Sequence, residues 1–600
     1  MKYALYTLIA VIAILSGCTK VGPGEPDPSK DTDPSAEPSK SPSDDPSTDA
    51  SEEPSKEPDR TPHKLSGTVI GTYKSVNYNT GEETITVNTK DNVFDGNYET
   101  FFASYERSRT WVGLDLGTKH VITRVGYSPR ISQEGRVELA IFEGANESNF
   151  SDALPLAIVK EPGKSGAMQY LPVDCTRGFR YVRYVGPNDA RCNLAELEFY
   201  GWEGDGGDSK FCQLTNLPTV VINTKNRAEI TSKKTEVSSN VYIISNNGKS
   251  ILSTSGTGVR GRGNASWSFP KKPYRIKFAE KHKPLGAPSN DKKWTLINNW
   301  GDKTLMRNIL AFEVSRRVGM SYTPFCTPVD LILNGEYQGC YQFCDQVEAG
   351  TGRVPAKDGY LIEIDAYAYD EDVYFYSDWG IPVTIKNPKD DEITEDQKRF
   401  IRNFFGEMED AVFSSEYTDP AEGYRKYLDV DSFLRNFIVG EFCGNTDTYW
   451  SVNMYKDAAQ GIFYTGPVWD YDLSFENDNR TYPINKLKDY IYASAGSVAA
   501  DAVRDMVSRI VKYDPEARGR LIEIWEEAKP ALAELNDYVD ETATLLDESQ
   551  RLNFKRWPIL SERVHQNPKA TGSYSGEVEI VKTYITERLN RFDELVRRTY

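Results

Sequence analysis

Between residues 66 and 202 apolar and polar positions alternate in short runs: ETITVNT, WVGLDLG, VITRVGYSP, VELAIFEG, FRYVRYVG and AELEFYG. Alternation with a period of two predicts half-buried strands, and a succession of them parted by turn residues predicts a β-sandwich. From 215 to 483 strand-like runs such as LPTVVINT and NVYIISNNG mix with helical ones such as FLRNFIVGEF, the pattern of an α+β domain. From 484 to 600 the spacing is helical. Leu521, Ile524, Trp525, Ala528, Leu532, Leu535 and Val539 make one stripe, with Pro530 predicting a break or kink, and Val578, Val581, Ile585, Leu589, Phe592 and Val596 make another. Both stripes are read as core-facing. GDGGDSK (204–210), within 203–214, is read as a hinge.

The first 18 residues have a different design. Lys2, the apolar run ALYTLIAVIAIL and then LSGC form a leader too short for a comfortable membrane span. The small residues before Cys18 resemble a bacterial lipobox, which implies that Cys18 is lipidated and becomes the first residue. Residues 19–65 are dominated by Pro, Ser, Asp, Glu and Lys, with 12 acids against 6 bases, and cannot build a core. Their prolines favour an extended tether with a reach on the order of 100 Å. A lipid-anchored protein at the outer membrane or surface of a bacterium is the expectation. The net charge of −18 argues against nucleic acid as a partner. Apart from Cys18 there are seven cysteines and no zinc-type pairs, so buried free thiols with one disulfide, Cys175–Cys192, are expected.

Positive charge is concentrated in RGRGNASWSFPKKPYRIKF (260–278). A glycine-rich turn lets backbone N–H groups approach an anion. In the strand that follows, Tyr274, Ile276 and Phe278 fall on one face and Arg275 and Lys277 on the other, read as an inward-cation cradle for phosphate with a solvated basic face as the alternative. Two acidic sites complement it. GNTDTYWSVNMY carries Asp447 and Asn453, and FYTGPVWDYDLSF carries Asp470 and Asp472 at strand alternation. An Asp that accepts a hydroxyl proton, followed by an Asn and a later Asp that hold magnesium, is the acid set of phosphoryl transfer from ATP. The four histidines are unpaired, which makes a histidine zinc site improbable.

Two resemblances extend this reading. Asp95-Gly96-Asn97 with Thr100, the WVGLDLG run, RYVRY (180–184) and AELEFYG (195–201) resemble the discoidin (coagulation factor 5/8 type C) jelly roll. That resemblance implies glycan or surface binding; Phe101, Phe102 and Tyr105 are read as a sugar platform or, equally, as core packing. It also implies a structural Ca2+ at Asp95, Asn97 and Glu196; a purely structural Asp-Gly turn stays open beside it. GRGNASWSFPKKPYRIKF, WTLINNWGDKTLMRNILAFEVSRRVGM, LILNGEYQGCYQFCDQVE, GYLIEID and the two acidic blocks resemble, in order, the CotH family of atypical protein kinases. This implies a kinase-like fold, ATP and Mg2+, and transfer of phosphate to Ser or Thr of a protein acceptor. By position it makes Asp447 catalytic, Asn453, Asp470 and Asp472 metal-side, and Arg262, Asn264, Ser266 and Trp267 the signature loop, with Arg275 or Lys277 on phosphate. Two departures stand out. Val452-Asn453 keeps one Asn where the family has a pair, and Asp345 replaces a Glu, which shortens any ion pair to the strand cation. The alternatives are a catalytically degenerate surface lipoprotein that binds carbohydrate and, last, a glycosyltransferase using Asp470-Tyr471-Asp472.

Overall fold

The computed structural model describes residues 60–356, 358–457, 461–483, 489–493 and 501–599. The leader, Cys18 and the tether up to residue 59 lie outside the described residues, and no helix among those described is long and apolar enough to cross a membrane.

The alternating runs build a β-sandwich around one eight-stranded sheet. Its first strand, His63–Lys64, pairs with Gly201 and Tyr200, so the last residues of the expected tether already belong to the sheet. The 19-residue strand Trp111–Pro129 serves both ends of the fold. Its first half pairs with Thr68–Gly71 and its second with Leu194–Glu203 and Gln169–Pro172, while Gly178–Val185 spans a register break between Asp115 and His120. Phe142 is the centre of the core, edge-on to Tyr184 and Phe199. The expected Cys175–Cys192 disulfide is absent: both thiols are free and buried. Cys192 packs against Gly186 and Tyr184, and Cys175 lies beside Cys212 instead.

Seven strands then close a barrel in the order Thr219–Thr224, Val237–Ser245, Ser250–Gly261, Tyr274–His282, Asp291–Ile297, Glu336–Asp345 and Cys326–Leu333, which pairs back to the first. Val220, Ile222, Val259, Ile276, Trp294 and Phe343 fill its interior. TVVINT (219–224) is buried at every position because its two faces have different neighbours. Val220 and Ile222 point into the barrel, whereas Val221 joins Tyr242, Ile244, Ile332, Tyr337 and Leu552 in an apolar cluster continuous with the sandwich core. Polar ties flank this seam: Asn223 Nδ2 donates to Ala153 O at 2.9 Å, and Lys555 reaches Glu138 and Glu161 at 2.8 and 2.7 Å. The segment read as a hinge is held down as well. Gly204 and Gly207 donate to Lys119 O and Thr176 O, both at 2.8 Å, and Asp208 pairs with Arg177.

The second lobe is a five-stranded sheet (Tyr374–Tyr376, Pro382–Asn387, Tyr360–Asp365, Ser451–Lys456 and Tyr464–Thr465, in that order) packed with helices. The helices Arg307–Val318, Glu395–Phe413, Val430–Cys443, Pro515–Ala533 and Tyr574–Arg597 contribute to the largest core, and every residue of the first expected stripe is buried. In the second stripe all but Leu589, which is partly buried, are fully so. Pro530 sits in the last turn of Pro515–Ala533; the helix stops three residues later, and the next starts at Leu535.

Candidate active site

Asp447 is placed by the end of a helix. Asp429 caps Val430–Cys443 at its start by accepting from Ser432 N, and Gly444 ends it in the left-handed region at φ 71°. A 3-10 turn, Thr446–Tyr449, then carries Asp447. Buried Glu441 braces this turn by accepting from Tyr449 Oη at 2.6 Å and Ile491 N at 2.6 Å, with Arg588 beside it. Arg480 donates to Asp447 Oδ1 at 3.0 Å and also holds the buried Asp478.

Asp470 and Asp472 are not on a strand, contrary to the alternation in VWDYDLSF. Residues 466–471 are irregular, a turn begins at 472, and Asp470 has φ 65°, the left-handed conformation that Asp tolerates better than most residues. Tertiary bonds shape this loop. Tyr471 N donates to Asn308 Oδ1 at 2.7 Å, and Arg307, paired with Asp302 in full burial, donates through Nε to Ser474 O at 3.0 Å. Asn445 joins the two acidic loops: its Oδ1 accepts from Asp447 N at 3.4 Å and its Nδ2 donates to Asp470 O at 3.3 Å.

The basic segment contributes Arg262. The strand Tyr274–His282 alternates as expected, but Tyr274, Ile276 and Phe278 fill the barrel, so Arg275 and Lys277 face outward and the inward-cation cradle is not formed. Arg275 pairs with Glu236, and Lys277 is exposed. Arg262 lies over the Trp469 ring at 5.6 Å, close enough to Asp470 for their charges to interact. Two glycines set its loop. A Cβ on Gly261 would come within 2.4 Å of Trp267, and Gly263 has φ 77° with Ser266 Oγ in the space a side chain would need. Asn264 is exposed and accepts from Lys233 Nζ at 3.2 Å, and Ser266 is half-buried. Asp345 does not reach the strand cations: fully buried, it pairs with Arg353 at 3.3 Å and accepts from Ser289, Tyr322 and Phe325 N.

Several groups here were not singled out from the sequence. Glu363 and Lys386 form an ion pair across neighbouring strands, and Ser451 Oγ donates to Glu363 at 2.6 Å. Asn453 is directly opposite Glu363 in the sheet; its Oδ1 accepts from Lys386 at 3.4 Å and its Nδ2 donates to Pro467 O at 3.2 Å. Asn453 therefore braces the chain three residues before Asp470. His565 packs edge-on to Phe269 and near Asp472, and burial lowers its pKa below the ordinary histidine value.

Negative charge prevails where the two acidic loops meet. Protein atoms packed round Asp470 and then the Asp447 charge push its carboxyl up to about 6, with Arg262 pulling the other way, although the residue keeps an exposed surface. Enclosure, followed by Asp470 and Asp302, raises Asp472 as well. No three His, Cys, Asp or Glu side chains among the described residues are grouped to hold a metal ion. Magnesium does not need such a cage, because it is commonly held by one or two carboxylates with substrate phosphates and water. A solvent-facing Asp470 repelled by neighbouring acids fits that role.

In the sandwich, Glu196 lies against Asp95 and is pushed up to about 7, first by burial and then by that carboxylate. Glu196 Oε1 is buried without a hydrogen-bond partner, while Asp95 already accepts from Asn97 N and Thr100 Oγ1, both at 2.8 Å. An orphaned buried carboxylate oxygen facing a second carboxylate fits calcium, whereas the Asn97 side-chain oxygen is taken by Glu99 N. Of the three aromatic candidates Phe102 is core, Phe101 lies under Arg130 at 3.6 Å, and Tyr105 is exposed.

Among solved structures, the N-terminal segment is similar to CBM62 of Clostridium thermocellum Xyl5A (40% identity, 24% of this chain and 98% of that one, TM-score 0.22). It is also similar to a fucolectin from striped bass, Morone saxatilis, serum (19% identity, 24% and 48%, TM-score 0.20). A third is the C-terminal domain of a chitobiase from Bacteroides fragilis (16% identity, 24% and 99%, TM-score 0.19). No curated protein matches the chain. The family described as CotH kinase protein matches residues 259–591, a span that holds Arg262, Asp447 and Asp470, and the chain belongs to the CotH family.

Proposed function

We propose that this protein is a protein kinase that transfers the γ-phosphate of ATP to a Ser or Thr hydroxyl of a protein, tethered outside the cytoplasm through a lipidated Cys18. The observation that carries the reading is the meeting of the Asp447 and Asp470 loops through Asn445, with Arg262 facing Asp470. Asp447 orients the acceptor hydroxyl and takes its proton as the oxygen attacks the γ-phosphorus and the bond to the ADP oxygen breaks. Asp470, with Asp472 behind it, would hold magnesium, which neutralises charge on the phosphates. Arg262 supplies a fixed positive charge at the same place, and Arg480 orients Asp447. The test is incubation of the whole chain with labelled ATP, magnesium and a Ser-rich acceptor protein. Label should pass to serine, and Asp447→Asn should slow transfer about 100-fold or more while nucleotide binding persists. Absence of both transfer and nucleotide binding in the wild type would overturn the reading.

A second reading concerns the sandwich. Arg130 lies over both Phe101 and Tyr78, and Arg130 and Arg136 both donate to Asn193 Oδ1, at 3.2 and 3.3 Å. Aromatic faces beside a fixed fan of donors suit the faces and hydroxyls of a sugar. A glycan array should give hits that Arg130→Ala removes; an array without hits would sink this part alone.

A further inference from the structure

We propose that Cys326 and Cys344 are a disulfide-forming pair, oxidised by a disulfide-bearing oxidant outside the cytoplasm. The strands Cys326–Leu333 and Glu336–Asp345 form a hairpin around Asn334-Gly335, both at positive φ (54° and 84°), the two-residue turn that matches strand twist. The hairpin register sets Cys326 directly opposite Cys344. Asp345 N donates to Phe325 O at 3.0 Å, so 325/345 is a hydrogen-bonded pair and 326/344 is the adjoining non-hydrogen-bonded one. In antiparallel sheets that type of pair brings Cα atoms to about 4.5 Å, inside the range a disulfide spans. The two sulfurs are 3.0 Å apart, the one sulfur–sulfur contact given by the described cysteines. Reduced, they share an S–H···S contact; oxidation needs little backbone movement.

The two thiols differ in access. Cys344 is fully buried and Cys326 half-buried, so Cys326 meets the oxidant first. Burial and the contact with Cys326 also raise the Cys344 thiol, which keeps its proton until the second step. The Cys326 thiolate attacks one sulfur of the oxidant, forming a mixed disulfide and releasing the other sulfur as a thiol. Cys344 then gives up its proton and attacks Cys326 Sγ, closing the bond and releasing the second thiol. Two protons and two electrons pass to the oxidant, whose disulfide becomes two thiols. The bond would staple the hairpin beside Asp345 and within the field of Arg262. It rests on the placement outside the cytoplasm and on neither the nucleotide nor the glycan reading.

The experiment uses the whole chain, treated with oxidised glutathione, denatured, and alkylated with N-ethylmaleimide. Trypsin leaves both cysteines in the peptide 318–353, so cleavage after Glu336 is needed. The expected result is a linked pair two hydrogens lighter than the reduced fragments, with fragmentation assigning the bond to Cys344 rather than Cys340 and the remaining free thiols alkylated. Melting of the oxidised protein should fall on adding dithiothreitol, and Cys326→Ser should remove that difference. Full alkylation of both residues after oxidation, or a bond from Cys326 to any other cysteine, would overturn the proposal. The wild-type peptide map decides it even if the variant does not fold.

Discussion

Arg480 Nη2 is 3.0 Å from Asp447 Oδ1, so the proposed proton acceptor is held by a cation that is itself anchored on buried Asp478. Asp447→Asn is expected to lower kcat about 100- to 10,000-fold, the range for losing a general base. Arg480→Ala should lower kcat about tenfold through lost orientation, with Arg480→Lys recovering part of it. Single-turnover transfer measured beside equilibrium ATP binding checks both: the Asp447 variant should bind ATP within about twofold of wild type if its role is chemical.

Arg262 should act on binding. Arg262→Ala is expected to weaken ATP–magnesium affinity about tenfold or more, because charge-assisted contacts to phosphate are among the stronger ones. Arg275→Ala, which breaks only a pairing with Glu236 on the outer barrel face, should leave that affinity nearly unchanged. Calorimetry on both variants separates the two cations.

Arg307 and Asp302 are an ion pair with side chains 1% and 0% exposed. Arg307→Ala leaves a buried carboxylate without its partner and frees the carbonyl of Ser474, and should cost about 3–5 kcal/mol of stability. Urea unfolding measures it. A loss under 1 kcal/mol would mean that the Asp470 loop is held by other contacts.

Glu409 is fully buried, accepts from Ser377 Oγ at 2.8 Å, and is pushed up to about 7, first by burial and further by Asp410 and Asp378. Its folded value lies above the ordinary 4.5, so the folded chain holds the proton more tightly. The stability it contributes is present in full below about pH 4.5 and is lost as pH rises through about 7, an effect of the order of 3 kcal/mol. Glu409→Gln should flatten stability against pH across that window.

Calcium should raise the melting temperature of the whole chain by relieving the Asp95–Glu196 repulsion, and Glu196→Gln should abolish the response. A melting temperature indifferent to calcium and chelator would leave the loop a plain Asp-Gly turn.

The sandwich strands and the C-terminal helices were legible because burial follows a fixed period in each. TVVINT was legible as a strand, but its second buried face becomes clear only when Leu552, more than 300 residues later, is seen against it. The acids of the candidate site are legible as residues but not in their geometry. Asp470-Tyr471-Asp472 alternates like a strand, yet bonds from Asn308 and Arg307 hold it as a loop. Alternation in PYRIKF told which side chains share a face but not which face the barrel would enclose, so Arg275 and Lys277 were favoured over Arg262. Glu363 and Lys386 lie on separate strands 23 residues apart, and only sheet pairing makes them neighbours.

The seam between sandwich and barrel bears on how the enzyme proposal can be examined. A fragment starting at residue 215 would strip the sandwich side from the apolar cluster that holds Val221, Tyr242, Ile332, Tyr337 and Leu552, and leave greasy ground facing water. Silence from such a truncated piece would speak of clumping rather than of chemistry. The sandwich thus also covers a flank of the CotH domain, and the two have to be purified as a single body.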